Sequence, residues 1–110
     1  MLEVKNVSKV YGEGTAKVVA LNNISLLVNE GDFIAIMGPS GSGKSTLLNI
    51  IGGLDHISSG EVILDGKRID SLDENALVDV RRGKIAYVFQ QYHLIPSLTA
   101  LENVLLPLTF

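Results

Sequence analysis

Hydrophobic and polar positions predict a chain that begins with strands. Residues 2–7 and 18–28 carry apolar side chains at roughly alternate positions, which is typical of strands with one buried face. Residues 33–37 (Phe-Ile-Ala-Ile-Met) are an uninterrupted apolar run bounded by glycines. A run of this length predicts a central parallel strand that is covered on both faces. Residues 85–89 predict another short apolar strand.

Three segments have apolar residues at the spacing of amphipathic helices. The first covers residues 45–54 and ends at a Gly-Gly pair. The others follow capping boxes at residues 71–74 and 99–102, and Pro107 limits the last helix. The apolar positions of the three segments are Leu47, Leu48, Ile50, Ile51, Leu77, Val80, Leu101, Val104, Leu105 and Leu108.

One stretch has the pattern of a tight β-hairpin. Residues 61–69 place two short apolar segments on either side of Asp65-Gly66. Asp-Gly is a favoured pair for the type I′ turn, in which both central residues have a positive φ. The sequence therefore predicts that residues 61–69 fold as a hairpin.

Composition and charge narrow the possible classes of protein. The chain has 110 residues, with nine Lys and Arg against twelve Asp and Glu, hence a net charge of −3. An acidic balance argues against a general nucleic-acid partner, since it offers no excess of charge to neutralise phosphates. The chain has no cysteine, which excludes disulfide frameworks and Cys-based metal sites. No apolar run approaches the roughly 18 residues of a membrane span, and no signal peptide is visible at the start.

The end of the chain predicts a piece of a larger domain. Residues 105–110 are mostly apolar and carry neither a helix cap nor a polar tail. Domain ends are usually polar and exposed. We therefore expect that residues 1–110 are the N-terminal portion of one domain; a chain that simply ends in a docked helix is the alternative.

The strongest motif is a phosphate-binding loop. Residues 38–45 read Gly-Pro-Ser-Gly-Ser-Gly-Lys-Ser and match G-x-x-x-x-G-K-[ST] without a mismatch. Glycines let backbone N–H groups approach phosphate oxygens, and the N-terminus of the following helix favours the same anion. The predicted nucleotide-binding residues here are Gly38, Pro39, Ser40, Gly41, Ser42, Gly43, Lys44, Ser45 and Thr46. Lys44 would meet the β- and γ-phosphates, Ser45 would bind Mg²⁺, and Thr46 would contact the α-phosphate. The alternative is a Gly-rich turn that binds nothing.

The flanks of this loop resemble the nucleotide-binding domain of ATP-binding cassette (ABC) transporters. The similarity rests on residues 7–11, 21–25, 30–49, 59–66 and 87–104, and thus extends over the whole chain. The last stretch is most similar to the subfamily that exports macrolides, antimicrobial peptides and lipoproteins. The resemblance implies an α/β fold: a three-layer P-loop NTPase core with an N-terminal antiparallel β subdomain, here truncated. A helical subdomain would begin at about residue 99.

The resemblance also implies roles for two residues outside the loop. Tyr11 matches the aromatic residue that stacks on adenine; a packing tyrosine is the alternative. Gln90 matches the Q-loop glutamine, which senses Mg²⁺ and the attacking water; an ordinary polar residue at a strand end is the alternative. Together with Lys44, Gln90 would form the catalytic set, and with Ser45 the Mg²⁺ site.

Cofactors, partners and location follow from the same resemblance. The cofactors would be ATP and Mg²⁺. The partners would be a transmembrane permease subunit and a second nucleotide-binding domain in a head-to-tail dimer. The location would be cytoplasmic, peripheral on the inner face of the cell membrane through the permease. Binding and hydrolysis of ATP would energise the export or release of a substrate.

Three family elements have no counterpart in these 110 residues. They are the L-S-G-G-Q signature, the Walker B strand with its catalytic Glu, and the switch histidine. We therefore expect this chain alone to lack hydrolysis. The six Asp residues at positions 32, 55, 65, 70, 73 and 79 read as turn and surface carboxylates, and His56 and His93 as surface or packing residues. Residues 81–84 (Arg-Arg-Gly-Lys) form a basic patch that is either a solvated face or a partner contact.

Two further interpretations compete with an ABC-type ATPase. One is another phosphate-loop class, such as a small kinase or a GTPase, but the sequence has no N-K-x-D guanine motif. The other is a non-catalytic fragment or pseudogene product that only binds nucleotide or docks on membrane subunits. The first alternative would change the family of the chain. The second would leave the family unchanged and concern only whether this chain is active.

Overall fold

The helices and strands of a computed structural model surround one small apolar core. The structure describes residues 1–89, 91 and 94–109. The elements are β1 (Leu2–Tyr11), β2 (Val18–Val28), α1 (Lys44–Ile51), β3 (Ser59–Leu64), β4 (Lys67–Arg68), α2 (Glu74–Gly83) and α3 (Ala100–Leu105). Short 3₁₀ turns cover Gly14–Ala16 and Leu106–Thr109.

The four strands form one antiparallel sheet in the order β2-β1-β3-β4. Leu2 lies opposite Val28 on one side and Leu64 on the other, so β1 lies between β2 and β3. Asp65 and Gly66 have φ values of 49° and 82°, the two positive values that a type I′ turn requires. The strands predicted at residues 2–7 and 18–28 and the hairpin predicted at residues 61–69 are therefore confirmed, although β4 is only two residues long.

The core lies between this sheet and the helices α1 and α2. Its members are apolar, which is the expected consequence of burying one face of each element. They are Val4, Val7, Leu21, Leu47, Ile50, Val62, Ile69, Leu77 and Val80. The predicted apolar faces of the first two helices thus supply four of the nine core residues through Leu47, Ile50, Leu77 and Val80.

Helix α2 begins at a cap that differs from the predicted one. The capping box predicted at residues 71–74 is wrong, because Asp73 is the N-cap and its side chain accepts a hydrogen bond from the Ala76 N–H at 2.8 Å. Asp is as good an N-cap as Ser, and its position three residues before Ala76 suits the first turn. At α3 the prediction is confirmed: Thr99 and Glu102 form a complete capping box.

The predicted parallel strands at residues 33–37 and 85–89 are not found. Within the part of the chain that the structure describes, neither run pairs with the four-stranded sheet or is a strand. Phe33, Met37 and Val88 are 97%, 88% and 94% exposed. A parallel strand exists only through neighbouring strands on its hydrogen-bonding edges, and neither run pairs with a strand in the described part of the chain. The Cα radius of gyration, 15.9 Å, exceeds the about 13 Å of a globular domain of this length.

The basic patch at residues 81–84 divides between two roles. Arg81 is partly buried and donates to the Gly53 carbonyl at 2.8 Å, so it ties α2 to the end of α1. Arg82 and Lys84 are exposed, and the Lys84 ammonium lies 3.5 Å from the Asp65 carboxylate. The patch is therefore neither wholly a solvated face nor a separate surface.

Candidate phosphate-binding site

Residues 38–43 form a tight loop that leads into α1. Gly41 and Gly43 have φ values of 83° and 94°, and the Ser42 N–H donates to the Pro39 carbonyl at 3.2 Å. A Cβ on Gly43 would lie 2.5 Å from the Ala20 carbonyl oxygen of β2. Glycine is required at this position both for the positive φ and for the close approach of the loop to the sheet.

The loop and the start of α1 border a concave opening against β2. Its volume is about 440 Å³, and its walls are Val18, Val19, Ala20 and the loop residues Ser40, Gly41, Ser42, Gly43, Lys44, Ser45 and Thr46. The N-cap of α1 is Gly43, which has no side chain to bond the N–H groups of the first turn. Those groups remain available to an anion, and the helix dipole favours negative charge at the same end.

Lys44 supplies the full positive charge of the site. Its ammonium group donates to the carbonyl oxygens of Gly38 and of Pro39, the latter at 3.0 Å. The side chain therefore folds back across the loop that precedes it. A cation in this position would face an anion held by the loop N–H groups and would strengthen its binding.

Tyr11 lies at the end of β1, where it pairs with Val18 of β2. Tyr11 is 41% exposed, and its hydroxyl donates to the Asp55 carboxylate at 2.5 Å. This hydrogen bond and partial burial raise the pKa of the Tyr11 phenol above its usual value, while a hydrogen bond with the Thr46 side chain acts in the opposite direction. Tyr11 thus stands within reach of Thr46, beside the opening, with part of its ring accessible.

The structure brings most of the predicted site residues together. The loop residues, Lys44, Ser45 and Thr46 lie at the N-terminal end of α1, and Tyr11 comes within reach of Thr46. Ser45 lines the opening with a hydroxyl oxygen, a hard ligand that suits Mg²⁺. Gln90, the remaining predicted residue, lies outside the described residues, as does His93. No group of three or more acidic or His side chains that could hold a metal ion is found among the described residues.

Sequence reasoning missed the residues that support Tyr11. Asp55 was interpreted as a turn or surface carboxylate, but it accepts the Tyr11 hydroxyl and lies 3.3 Å from the Lys9 ammonium. Tyr11 and Asp55 are separated by 44 positions in the chain, so no local pattern links them. The wall that β2 contributes to the opening was missed for the same reason.

None of the helices in the described part of the chain is long and apolar enough to cross a membrane.

A family model described as "ABC transporter" matches residues 21–108 of this chain. An uncharacterized ABC transporter ATP-binding protein, MJ0796 of Methanocaldococcus jannaschii, is 56% identical over 110 residues, which are 100% of this chain and 47% of that protein. The macrolide export ATP-binding/permease protein MacB of Mannheimia succiniciproducens is 49% identical over 107 residues, 97% of this chain and 17% of MacB. The chain thus spans about half the length, or less, of the curated relatives it matches.

A comparison with solved structures also finds similarity to an ATP-binding cassette. The dimeric post-hydrolysis structure of the cassette MJ0796 bound to ADP and Pi superposes with a TM-score of 0.91 at 55% sequence identity. It matches 100% of this chain, which corresponds to 47% of that chain. The architecture described above is therefore that of a solved protein over the full length of the match.

Proposed function

Because the chain belongs to the ABC transporter family, we propose that it binds ATP with Mg²⁺ as the ATP-binding subunit of a transporter. The observation that carries this proposal is the loop of residues 38–43. It faces a concave opening, is followed by the uncapped N-terminus of α1, and is crossed by the Lys44 ammonium. Backbone N–H groups, a helix dipole and one cation at one place suit a polyphosphate.

The residues of the opening divide between the parts of the nucleotide. The loop and Lys44 would bind the β- and γ-phosphates, and Thr46 the α-phosphate. Ser45 would contribute one oxygen to Mg²⁺, with phosphate oxygens and water supplying the others, as this ion prefers. Tyr11 would stack on the base, and Gln90 would approach the metal. The ADP and Pi bound to MJ0796 support this assignment by similarity.

Hydrolysis would require more than these residues. The 110 residues contain no L-S-G-G-Q signature and no Walker B segment, so this stretch alone offers neither the general base nor the clamp on the γ-phosphate. We expect it to bind ATP without turning it over. Steady hydrolysis by the pure chain that is abolished by Lys44→Ala would contradict that expectation.

Partners and location follow as part of the same proposal. The relative MacB is named for macrolide export and combines an ATP-binding part with a permease. MJ0796 forms a dimer in the solved structures. The ATP-binding subunit would therefore pair with a second nucleotide-binding domain and with a transmembrane permease, at the inner face of the cell membrane. Its substrate would be a macrolide, a peptide or a lipoprotein, exported or released when ATP binding closes the pair.

An equilibrium titration with a fluorescent ATP analogue tests the proposal. Three proteins are compared with and without Mg²⁺: the wild-type chain, Lys44→Ala, and Lys67→Ala, which removes an exposed lysine of β4. We expect saturable binding that is weakened about 10- to 100-fold by Lys44→Ala, because a charge-assisted contact to phosphate is lost. Lys67→Ala should bind as the wild type does. Equal binding by wild type and Lys44→Ala would refute the assignment of the loop.

A further inference from the structure

Tyr11 is anchored by a small cluster that sequence patterns do not reveal. Its hydroxyl donates to Asp55 Oδ2 at 2.5 Å. The other carboxylate oxygen, Oδ1, accepts from the His56 N–H at 2.8 Å and lies 3.3 Å from the Lys9 ammonium. That ammonium also lies over the Tyr11 ring, 4.9 Å from its centroid. Each of the three side chains therefore contacts both of the others.

The cluster is shielded enough to hold a fixed geometry. The side chains of Asp55 and Lys9 are 28% and 13% exposed. Burial would raise the pKa of Asp55, but the hydrogen bonds from Tyr11 and His56 and the nearby Lys9 charge outweigh it and keep that pKa below its usual value. Asp55 is thus ionised at neutral pH and accepts from the phenol as a charged acceptor, which gives a stronger hydrogen bond than a neutral acceptor would.

The segment that carries Asp55 is itself tied to β1. The Ser58 N–H donates to the Ser8 carbonyl at 2.9 Å, and the Ser58 hydroxyl accepts from the Val10 N–H at 2.9 Å. These bonds lie on either side of Lys9 in the sequence. The segment between α1 and β3 is therefore held to the end of β1, where the Tyr11 side chain also comes within reach of Thr46.

We propose that Asp55 is a positioning residue for Tyr11, which it holds through the phenol hydroxyl so that the ring is ready to stack on the base of the nucleotide. Lys9 lies over one face of the ring, so the base would stack on the opposite face. The proposal rests on the function proposed above. Its physical basis is preorganisation: a tyrosine has two side-chain torsions, and a fixed hydroxyl removes the freedom that stacking would otherwise have to restrict.

Two probes separate the base from the phosphates. A fluorescent ATP analogue is displaced by ATP, which carries the base, or by inorganic tripolyphosphate, which does not. The variants are Asp55→Ala, Asp55→Asn, Tyr11→Phe and the double variant Asp55→Ala/Tyr11→Phe. Asp79→Ala, at an exposed position of α2, is the matched control for loss of one carboxylate. Circular dichroism checks that each variant is folded.

We expect Asp55→Ala and Tyr11→Phe each to weaken ATP about 3- to 10-fold, with tripolyphosphate changed less than about 2-fold. The double variant should be no weaker than either single variant, because both remove the same hydrogen bond. Asp55→Asn keeps an acceptor oxygen for the hydroxyl and should recover most of the affinity that Asp55→Ala loses. Asp79→Ala should match the wild type.

Several results would overturn the proposal. Equal losses for ATP and tripolyphosphate in Asp55→Ala would show that Asp55 only supports the fold, and additive losses in the double variant would show that it does not act through Tyr11. If Asp55→Ala does not fold, wild-type ATP affinity in Tyr11→Phe overturns the proposal by itself. Wild-type protein that binds both probes in a Lys44-dependent way, with no effect of Asp55 or Tyr11, refutes the positioning role alone. Wild-type protein that binds neither probe refutes the proposed function as well.

Discussion

The sheet region and the apolar runs of this chain have similar hydrophobicity but opposite environments. In the sheet region, formed by β1–β4, α1 and α2, Val4, Val7 and Val62 are fully buried. In the region formed by residues 33–37, residues 85–89 and α3, large apolar side chains such as Phe33 and Val88 are almost fully exposed. The difference shows that an apolar run specifies a need for burial, whereas a partner element decides whether burial occurs.

In the second region, residues 33–37 and 85–89 contact the core and α1. Ile36 and Ile85 pack on the edge of the core, and the Tyr87 hydroxyl donates to Asn49 of α1 at 3.1 Å. The Tyr87 and Phe89 rings lie with centroids 4.5 Å apart. The two runs thus contact the core and α1 without pairing as strands. Antiparallel strands can pair through short turns, but parallel strands depend on elements that are distant in the sequence.

We expect the largest difference in stability between the two regions when one apolar side chain is truncated in each of them. Ile50→Ala removes a side chain that is 3% exposed, and we expect it to lower the free energy of unfolding by about 2–5 kcal/mol. Phe33→Ala should change it by less than about 0.5 kcal/mol, because the ring makes little contact. Urea unfolding followed by circular dichroism measures both. A larger loss in Phe33→Ala than in Ile50→Ala would contradict the comparison.

The sheet region also holds a nearly buried carboxylate, Asp70, that should be important for stability. Its side chain is 6% exposed and accepts from the Val62 N–H at 2.9 Å and from Arg68 Nη2 at 2.7 Å. We expect Asp70→Ala to lower the free energy of unfolding by about 1.5–3 kcal/mol, since it leaves the Val62 N–H without its partner. Asp79→Ala, on the surface of α2, is the control and should be nearly neutral; a comparable loss there would contradict the assignment.

The same carboxylate predicts a pH dependence. Burial would raise the pKa of Asp70, but the bonds from Arg68 and from the Val62 N–H outweigh it, so the net shift is downward. A lowered folded-state pKa contributes stability above the unfolded value, and the contribution is lost as the pH falls through the folded value. The difference in unfolding free energy between wild type and Asp70→Ala should therefore shrink below about pH 4. A difference that grows with acid would contradict this sign.

Gly43 lies where the phosphate loop contacts β2 of the sheet region, so a substitution there tests both regions together. Gly43→Ala places a methyl group 2.5 Å from the Ala20 carbonyl in a backbone with φ 94°. We expect the free energy of unfolding to fall by about 1–3 kcal/mol and the ATP analogue to bind more weakly. Gly66→Ala is the control, since it has a positive φ of 82° but open space around it. If both substitutions had the same effect on nucleotide binding, the contact with β2 would be irrelevant to the loop.

The smallest effect is expected in the second region, at the cap of α3. The Thr99 hydroxyl accepts from the Glu102 N–H at 3.1 Å, and Glu102 Oε1 accepts from the Thr99 N–H at 3.0 Å. Thr99→Ala should cost about 1 kcal/mol in the local stability of α3. Thr99→Ser keeps the hydroxyl and should cost much less. Amide hydrogen exchange at residues 100–105 reports the change, and unaltered exchange in Thr99→Ala would show that the box does not hold the helix.

Local signals in the sequence predicted much of this fold. The alternation in residues 2–7 and 18–28, the Asp65-Gly66 turn and the Thr99 capping box act over a few residues, and the structure confirms each of them. The strands expected at residues 33–37 and 85–89 are not found, because the pairing of parallel strands depends on partners that are distant in the sequence. The cap of α2 was displaced by two residues, since Asp73 competes with Ser71 for the same function.

The site was predictable to the extent that its chemistry is contiguous. Residues 38–46 and the helix that follows are adjacent in the chain, so the motif predicts that they lie together, and residues 40–46 line one opening. The anchor of Tyr11 was not predictable, because Asp55 lies 44 positions away in the chain and meets Tyr11 only when the segment after α1 packs against the end of β1. The role of Gln90 stays a prediction.

The central claim is that the opening beside residues 38–46 binds a nucleoside triphosphate. Its most direct test is a two-dimensional NMR titration of the isotope-labelled chain with ATP and Mg²⁺. We predict that the largest amide shifts occur at Gly41, Gly43, Lys44 and Ser45, that the Tyr11 ring protons also shift, and that residues 101–108 do not. Saturable shifts at α3 or α2, with the loop amides unchanged, would contradict the account.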